Sequence, residues 1–126
     1  MTATRLVLVD SSGWIEAIGD GPKSELLRKW IEENEPLIMP TIVLYEVGKK
    51  LMRSDAGASL ARFQSHALRQ IVIPLDEHLA GAAAIVSLKH ELPMADAIIY
   101  ATALMHSAEL VTTDSHFAGL PSVTIV

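Results

Sequence analysis

Four carboxylates in this chain, Asp10, Glu46, Asp96 and Asp114, stand where chemistry can be done. Asp10 closes the apolar run Leu6 to Val9, and Asp114 follows the run Leu110 to Thr112, so each lies just past the end of a short predicted strand. In open α/β sheets, ligands bind beyond the carboxyl ends of the strands. Glu46 falls about a turn and a half into the helix predicted after the second strand, and Asp96 falls in the first turn of a helix opened by Pro93. All four can reach one rim of a sheet.

Each acid also has a local explanation. Asp10 can cap a helix, Asp96 can complement a helix dipole, Asp114 can make an Asx-turn, and Glu46 can pair with Lys50 at i, i+4. Two sequence contexts tilt the reading. Glu46 sits in the otherwise apolar run Ile42 to Val47, where a buried carboxylate is costly without a partner. Asp96 is set between Pro93, Met94 and Ala95 on one side and Ala97, Ile98 and Ile99 on the other. Carboxylates in hydrophobic stretches that converge on a strand rim read as a metal site. Hard oxygen ligands without thiolate favour Mg²⁺ or Mn²⁺ over zinc, and those ions commonly serve phosphate chemistry.

The elements that must position these acids alternate between strand and helix. Leu6–Val9 is followed by a short helix from Ser11 to Ile18, stopped by Gly19, Gly21 and Pro22. A second helix over Lys23–Glu33 places Leu26, Leu27, Trp30 and Ile31 on one face. Leu37–Met39 is a second strand, and Pro40 and Thr41 open a third helix striped by Val43, Val47 and Leu51. A helix over Ala58–Leu68 and a third strand over Ile71–Leu75 come next. Glu77–Lys89 and Pro93–Ser107 are two further helices, and Leu110–Thr112 and Val123–Ile125 two further strands. Such alternation predicts an α/β fold, a mainly parallel short-stranded sheet sandwiched by helices.

Composition narrows the rest. At 126 residues the chain is expected to form one domain over 1–126. Half its residues are hydrophobic and a fifth charged, the balance of a folding chain rather than a disordered one. With no cysteine, a disulfide framework, a cysteine zinc site and a thiol nucleophile are excluded. No uncharged stretch approaches the roughly 18 residues of a membrane span. Met1 to Val9 is too short in apolar residues for a signal-peptide core, so a cytoplasmic location is expected. Ten basic against fifteen acidic residues leave a net charge of −5, which alone argues against a nucleic-acid partner. Setting the four acids aside leaves 15 − 4, eleven against ten, and a nearly neutral remainder.

The runs LVLVDSSGWIE, PTIVLYEVGKKL, LPMADAIIYATAL and LVTTDSHFAGLPSV resemble the four signature blocks of the PIN-domain ribonucleases, closest to the VapC-like toxins of toxin–antitoxin systems. The resemblance runs from Leu6 to Val123. It implies a catalytic quartet of Asp10, Glu46, Asp96 and Asp114, with Mg²⁺ or Mn²⁺ held through Asp10, Asp96 and Asp114, and with Ser11 and Thr112 as supporting hydroxyls. It further implies a homodimeric endoribonuclease that cuts structured RNA such as tRNA or rRNA and is silenced by a small antitoxin protein. The other reading is a catalytically silent dimeric module that binds a basic peptide in its acidic groove. Intact acids at all four positions favour the enzyme.

Lys49, Lys50 and Arg53 follow Glu46 on the same helix and can hold RNA phosphates, although a solvated helix face explains them equally well. Arg62 and Arg69 read as a solvated face. His66, His78, His90, His106 and His116 show no paired ligand spacing, and among them His116 stands out only because it follows Asp114. Trp14 and Trp30 read as core or interface anchors.

Overall fold

The structure, a computed structural model, describes residues 5–54 and 57–126; the reading of Met1 to Val9 as it concerns residues 1–4 lies outside them. In chain order the elements are β1 (Val7–Val9), α1 (Ser11–Ile18), α2 (Ser24–Asn34), β2 (Ile38–Pro40), α3 (Thr41–Arg53) and α4 (Gly57–Ala67). Then come β3 (Ile71–Ile73), α5 (Glu77–His90), α6 (Met94–Met105), β4 (Glu109–Thr112), a 3₁₀ turn over Ser115–Phe117, and β5 (Val123–Ile125).

All five strands pair in parallel, in the order β3-β2-β1-β4-β5. The chain builds outward from β1 in one direction and then returns to its other side with β4. That reversal makes the β1/β4 boundary the switch point, where open sheets leave a crevice. The register there is Val7 with Glu109, Leu8 with Leu110 and Val9 with Val111. Every residue of β1 and β2 is buried, so both faces of the sheet centre are covered, as a parallel sheet requires. The edge strands β3 and β5 are more open.

The core is aliphatic, and the aromatics Tyr100 and Phe117 fill it where α6 meets the 3₁₀ turn. Val43, Val47 and Leu51 are buried on α3, as their spacing predicts. Leu79, Ala83 and Val86 are buried on α5 and Ala82 partly so. Two expectations are corrected. Leu26 is half exposed, because Ser24, Leu27 and Ile31, three to four residues apart, form the inward stripe of α2. The third strand stops at Ile73, since Pro74 has no N–H to continue the ladder. Trp14 is a core residue, edge-on to Phe63 at 5.5 Å between ring centres. Among the described residues no helix is long and apolar enough to cross a membrane.

Candidate metal centre

The floor of the site is the junction of β1 with α1. Asp10 is the N-cap of α1, extended in backbone, with Oδ1 accepting the Gly13 N–H at 2.9 Å. Only glycine fits at position 13, because a Cβ there would come within 2.6 Å of Val9 Cγ1. The close approach brings the first turn of α1 down onto β1 and so brings its N–H to the aspartate. The Asp10 N–H in turn donates to Val111 O at 3.2 Å, locking the position to β4.

A hydroxyl network fixes the Asp10 carboxylate. Thr112, the last residue of β4, donates to Oδ2 at 2.6 Å, and Ser12 donates to Oδ1 at 2.8 Å. The Thr112 hydroxyl also accepts the Asp114 N–H at 2.9 Å, which turns the chain after β4 and presents Asp114 beside Asp10. Asp10 is only 3% exposed, and burial pushes its pKa up, opposed by these hydrogen bonds and reinforced by the charge of Asp114.

Glu46 arrives from α3, where Ser11 donates to its Oε1 at 2.6 Å; among the described residues it makes no ion pair with Lys50. Asp96 arrives from the first turn of α6, three residues after the Pro93 N-cap. Its pKa is pushed up by burial first, and by the charges of Asp114 and Glu46, while His116 pulls it down. Asp114 caps the 3₁₀ turn by accepting the His116 N–H at 2.9 Å.

All four sequence-predicted acids and Ser11 therefore line one cleft of about 360 Å³. Lys49, Lys50 and Arg53 line its α3 wall, so the basic residues open to two readings face the acids. Thr112 lies beneath the cleft, fully buried, and acts on it through Asp10 and Asp114. One neighbour of the acids escaped the sequence reading, and another was singled out there only by its closeness to Asp114. Ser12 clamps Asp10, and only its place two residues after a capping Asp could have flagged it. The ring of His116 lies beside Asp96 and Asp114 because the 3₁₀ turn folds it back over the strand end. The remaining histidines lie elsewhere; His66, for one, pairs with Glu35.

The donors suit a divalent cation. Among the described residues no Lys or Arg pairs with any of the four acids, leaving their mutual repulsion for a cation to relieve. Asp96, Asp114 and His116 each offer an atom within 4.8 Å of the other two. Asp10 is not in that group. Its Oδ1 accepts two hydrogen bonds and its Oδ2 one, so Oδ2 keeps one lone pair to offer.

The sequence profile of the PIN domain matches residues 7–122. The chain belongs to the PIN-domain family. Among solved structures, this PIN domain is similar to a protein of a toxin–antitoxin complex from Klebsiella pneumoniae, at 23% identity and a TM-score of 0.81 over 94% of this chain and 95% of that one. It is similar to a VapC toxin of Mycobacterium tuberculosis that cleaves the sarcin–ricin loop, at 17% identity and a TM-score of 0.78 over 93% and 96%. A third likeness is to a VapBC complex of Rickettsia felis bound to promoter DNA, at 15% identity and a TM-score of 0.74 over 96% and 97%. Among curated proteins, no sequence matches the chain.

Proposed function

We propose that this chain is a Mg²⁺- or Mn²⁺-dependent endoribonuclease, one nuclease domain over residues 1–126, and the toxin of a type II toxin–antitoxin system in the cytoplasm. The observation that carries the reading is the convergence of Asp10, Glu46, Asp96 and Asp114 on one cleft whose α3 wall bears Lys49, Lys50 and Arg53. Acids that gather a cation and bases that hold phosphates are the two halves of a phosphodiesterase site. The Mycobacterium tuberculosis toxin, of the same fold, cleaves the sarcin–ricin loop, and this supports structured RNA, tRNA or rRNA, as the substrate class.

The residues divide the work by position. Asp10, Asp96 and Asp114 hold the cation, with Asp10 fixed from below by Thr112 and Ser12. When bound, a divalent cation neutralises the scissile phosphate and lowers the pKa of water to generate a nucleophile. Glu46, oriented by Ser11, faces the same cleft and is placed to take a proton from the attacking water. Lys49, Lys50 and Arg53 align the RNA backbone. In-line attack at phosphorus expelling the ribose 3′ oxygen leaves 5′-phosphate and 3′-hydroxyl ends.

The likeness to toxin–antitoxin complexes supports a small antitoxin as partner, and an acidic cleft in an otherwise nearly neutral chain suits a basic inhibitory segment. A homodimer as the active form rests on the resemblance to the PIN-domain toxins alone. Incubation of the purified chain with total RNA, with Mg²⁺ or Mn²⁺ and with EDTA, tests the proposal. Discrete metal-dependent cuts abolished by EDTA and by Asp10→Asn are expected. Intact RNA under every condition would return the protein to being a silent binding module.

A further inference from the structure

We infer that His116 is a nitrogen ligand of the cation and biases the site toward Mn²⁺ over Mg²⁺, an inference that rests on reading the cleft as a metal site. The His116 Nδ1 lies 3.4 Å from Asp96 Oδ2 and 3.3 Å from Asp114 Oδ1. A charge-assisted hydrogen bond would draw it to about 2.7–2.9 Å from one of them. It instead stands equally far from both. Donors around a common ion behave this way: with bonds of about 2.1 Å, adjacent octahedral positions are about 3 Å apart and opposite ones about 4.2 Å. The two Nδ1 separations lie within a few tenths of an ångström of the first spacing, and all three donors fall within 4.8 Å of one another.

The ring is brought there by backbone that needs no rearrangement. Phe117 is fully buried and anchors the 3₁₀ turn, while the His116 N–H bonds to Asp114 Oδ1 at 2.9 Å. The side chain of His116 is 64% exposed, so its removal disturbs no packing and leaves the carboxylates in place. Imidazole changes the selectivity of an oxygen site. Mg²⁺ dehydrates reluctantly and keeps to oxygen, whereas first-row transition ions accept imidazole readily. A carboxylate set completed by Nδ1 thus gains Mn²⁺ affinity without an equal gain for Mg²⁺.

The test uses the untagged full chain with Mn²⁺ alone and Mg²⁺ alone, by titration calorimetry and by pulsed electron paramagnetic resonance of bound Mn²⁺. Wild type should show a ¹⁴N coupling on Mn²⁺ that His116→Ala and His116→Asn both lack. Loss of outer-sphere partners weakens metal sites about 10- to 100-fold, so loss of a ligand in His116→Ala should weaken Mn²⁺ binding by at least about tenfold. Mg²⁺ binding should change by no more than about twofold. His116→Asn, which offers an amide oxygen near the place of Nδ1, should hold both ions with the preference for Mn²⁺ reduced. Mn²⁺ bound without nitrogen coupling, and equally well by His116→Ala, would overturn the assignment while leaving EDTA-sensitive RNA cleavage and the nuclease reading intact. A wild type that binds no Mn²⁺ and cuts no RNA would overturn both.

Discussion

Replacing Asp96 by asparagine removes one charge from a group whose oxygens lie within 4.8 Å of Asp114 and of the His116 ring. At that distance two unit charges repel by about 0.9 kcal/mol at the dielectric of water and about 3.5 kcal/mol at an effective value of 20. The Asp96 and Asp114 side chains are 20% and 30% exposed, between those limits. Asparagine forgoes the interaction of Asp96 with the N-terminal dipole of α6, worth about 0.3 to 1 kcal/mol. The balance for the metal-free protein is a gain of between about 0 and 3 kcal/mol, so Asp96→Asn in EDTA should melt at or above the wild type.

Metal reverses the order. Cation at about 100 times its dissociation constant adds about 2.7 kcal/mol to the wild type, provided it binds only the folded chain. With unfolding entropy of about 2.1 cal/mol/K per residue over 126 residues, that is a rise of about 10 °C in Tm. If the variant binds about 100-fold more weakly, the same cation concentration adds about 0.4 kcal/mol, or about 1.5 °C. Melting curves of both proteins with EDTA and with Mn²⁺ decide the matter, with circular dichroism confirming the fold. Equal metal-induced shifts, or an Asp96→Asn protein clearly less stable than wild type in EDTA, would refute the reasoning and reduce Asp96 to a helix-dipole partner.

Other consequences can be checked as directly. Products should carry 5′-phosphate and 3′-hydroxyl ends, and a substrate with a single 2′-deoxy at the scissile position should still be cut; a 2′,3′-cyclic phosphate would exclude the mechanism. Lys49→Ala, Lys50→Ala and Arg53→Ala, all at exposed positions, should each leave stability within about 0.5 kcal/mol. Each should lower the salt slope of single-stranded RNA binding by about 0.7, measured by titration at several salt concentrations. Asp10 and Asp96 both have pKa values raised by burial above 3.8, so the folded state holds protons that the unfolded chain has released. Metal-free stability should therefore fall as pH rises from about 3.8 through the folded values, and chemical denaturation in EDTA should show a shallower fall in Asp10→Asn. Thr112→Val should cost about 1 to 3 kcal/mol by denaturant unfolding, because the Asp114 N–H and Asp10 Oδ2 both lose a buried partner, whereas Thr112→Ser should restore most of it.

The strand-end aspartates were legible because a polar residue closing an apolar run is a local signal, and Glu46 because a carboxylate inside such a run is anomalous. The pairing of β1 with β4 was not legible. Residues 7–9 and 109–112 are too short for any periodicity, and their partnership is set by a hundred intervening residues packing as they do. His116 was singled out only by its neighbour Asp114 for the same reason: its ring comes beside Asp96 only once the turn after β4 is folded against α6. The ends of β3 and the outward Leu26 were lost to finer chemistry, a proline without an N–H and a helix face one residue away from the one chosen.

The local explanations of the acids and the proposed metal site do not compete for the same atoms. Asp10 is a helix cap, and its Oδ1 is spent on the Gly13 N–H and the Ser12 hydroxyl. Asp114 caps the 3₁₀ turn in the same manner. Far from competing with a role in the cleft, these bonds immobilise each carboxylate before any ligand arrives, so the rotamer freedom lost on gathering a cation is largely lost on folding. The cost is concentrated in Asp10 and Asp96, whose charged forms are disfavoured by burial. On the proposed reading, a cation, once bound, would convert the same repulsion into affinity. Cap and proposed ligand are therefore compatible in one arrangement, in which the caps would supply the rigidity that the proposed chemistry needs.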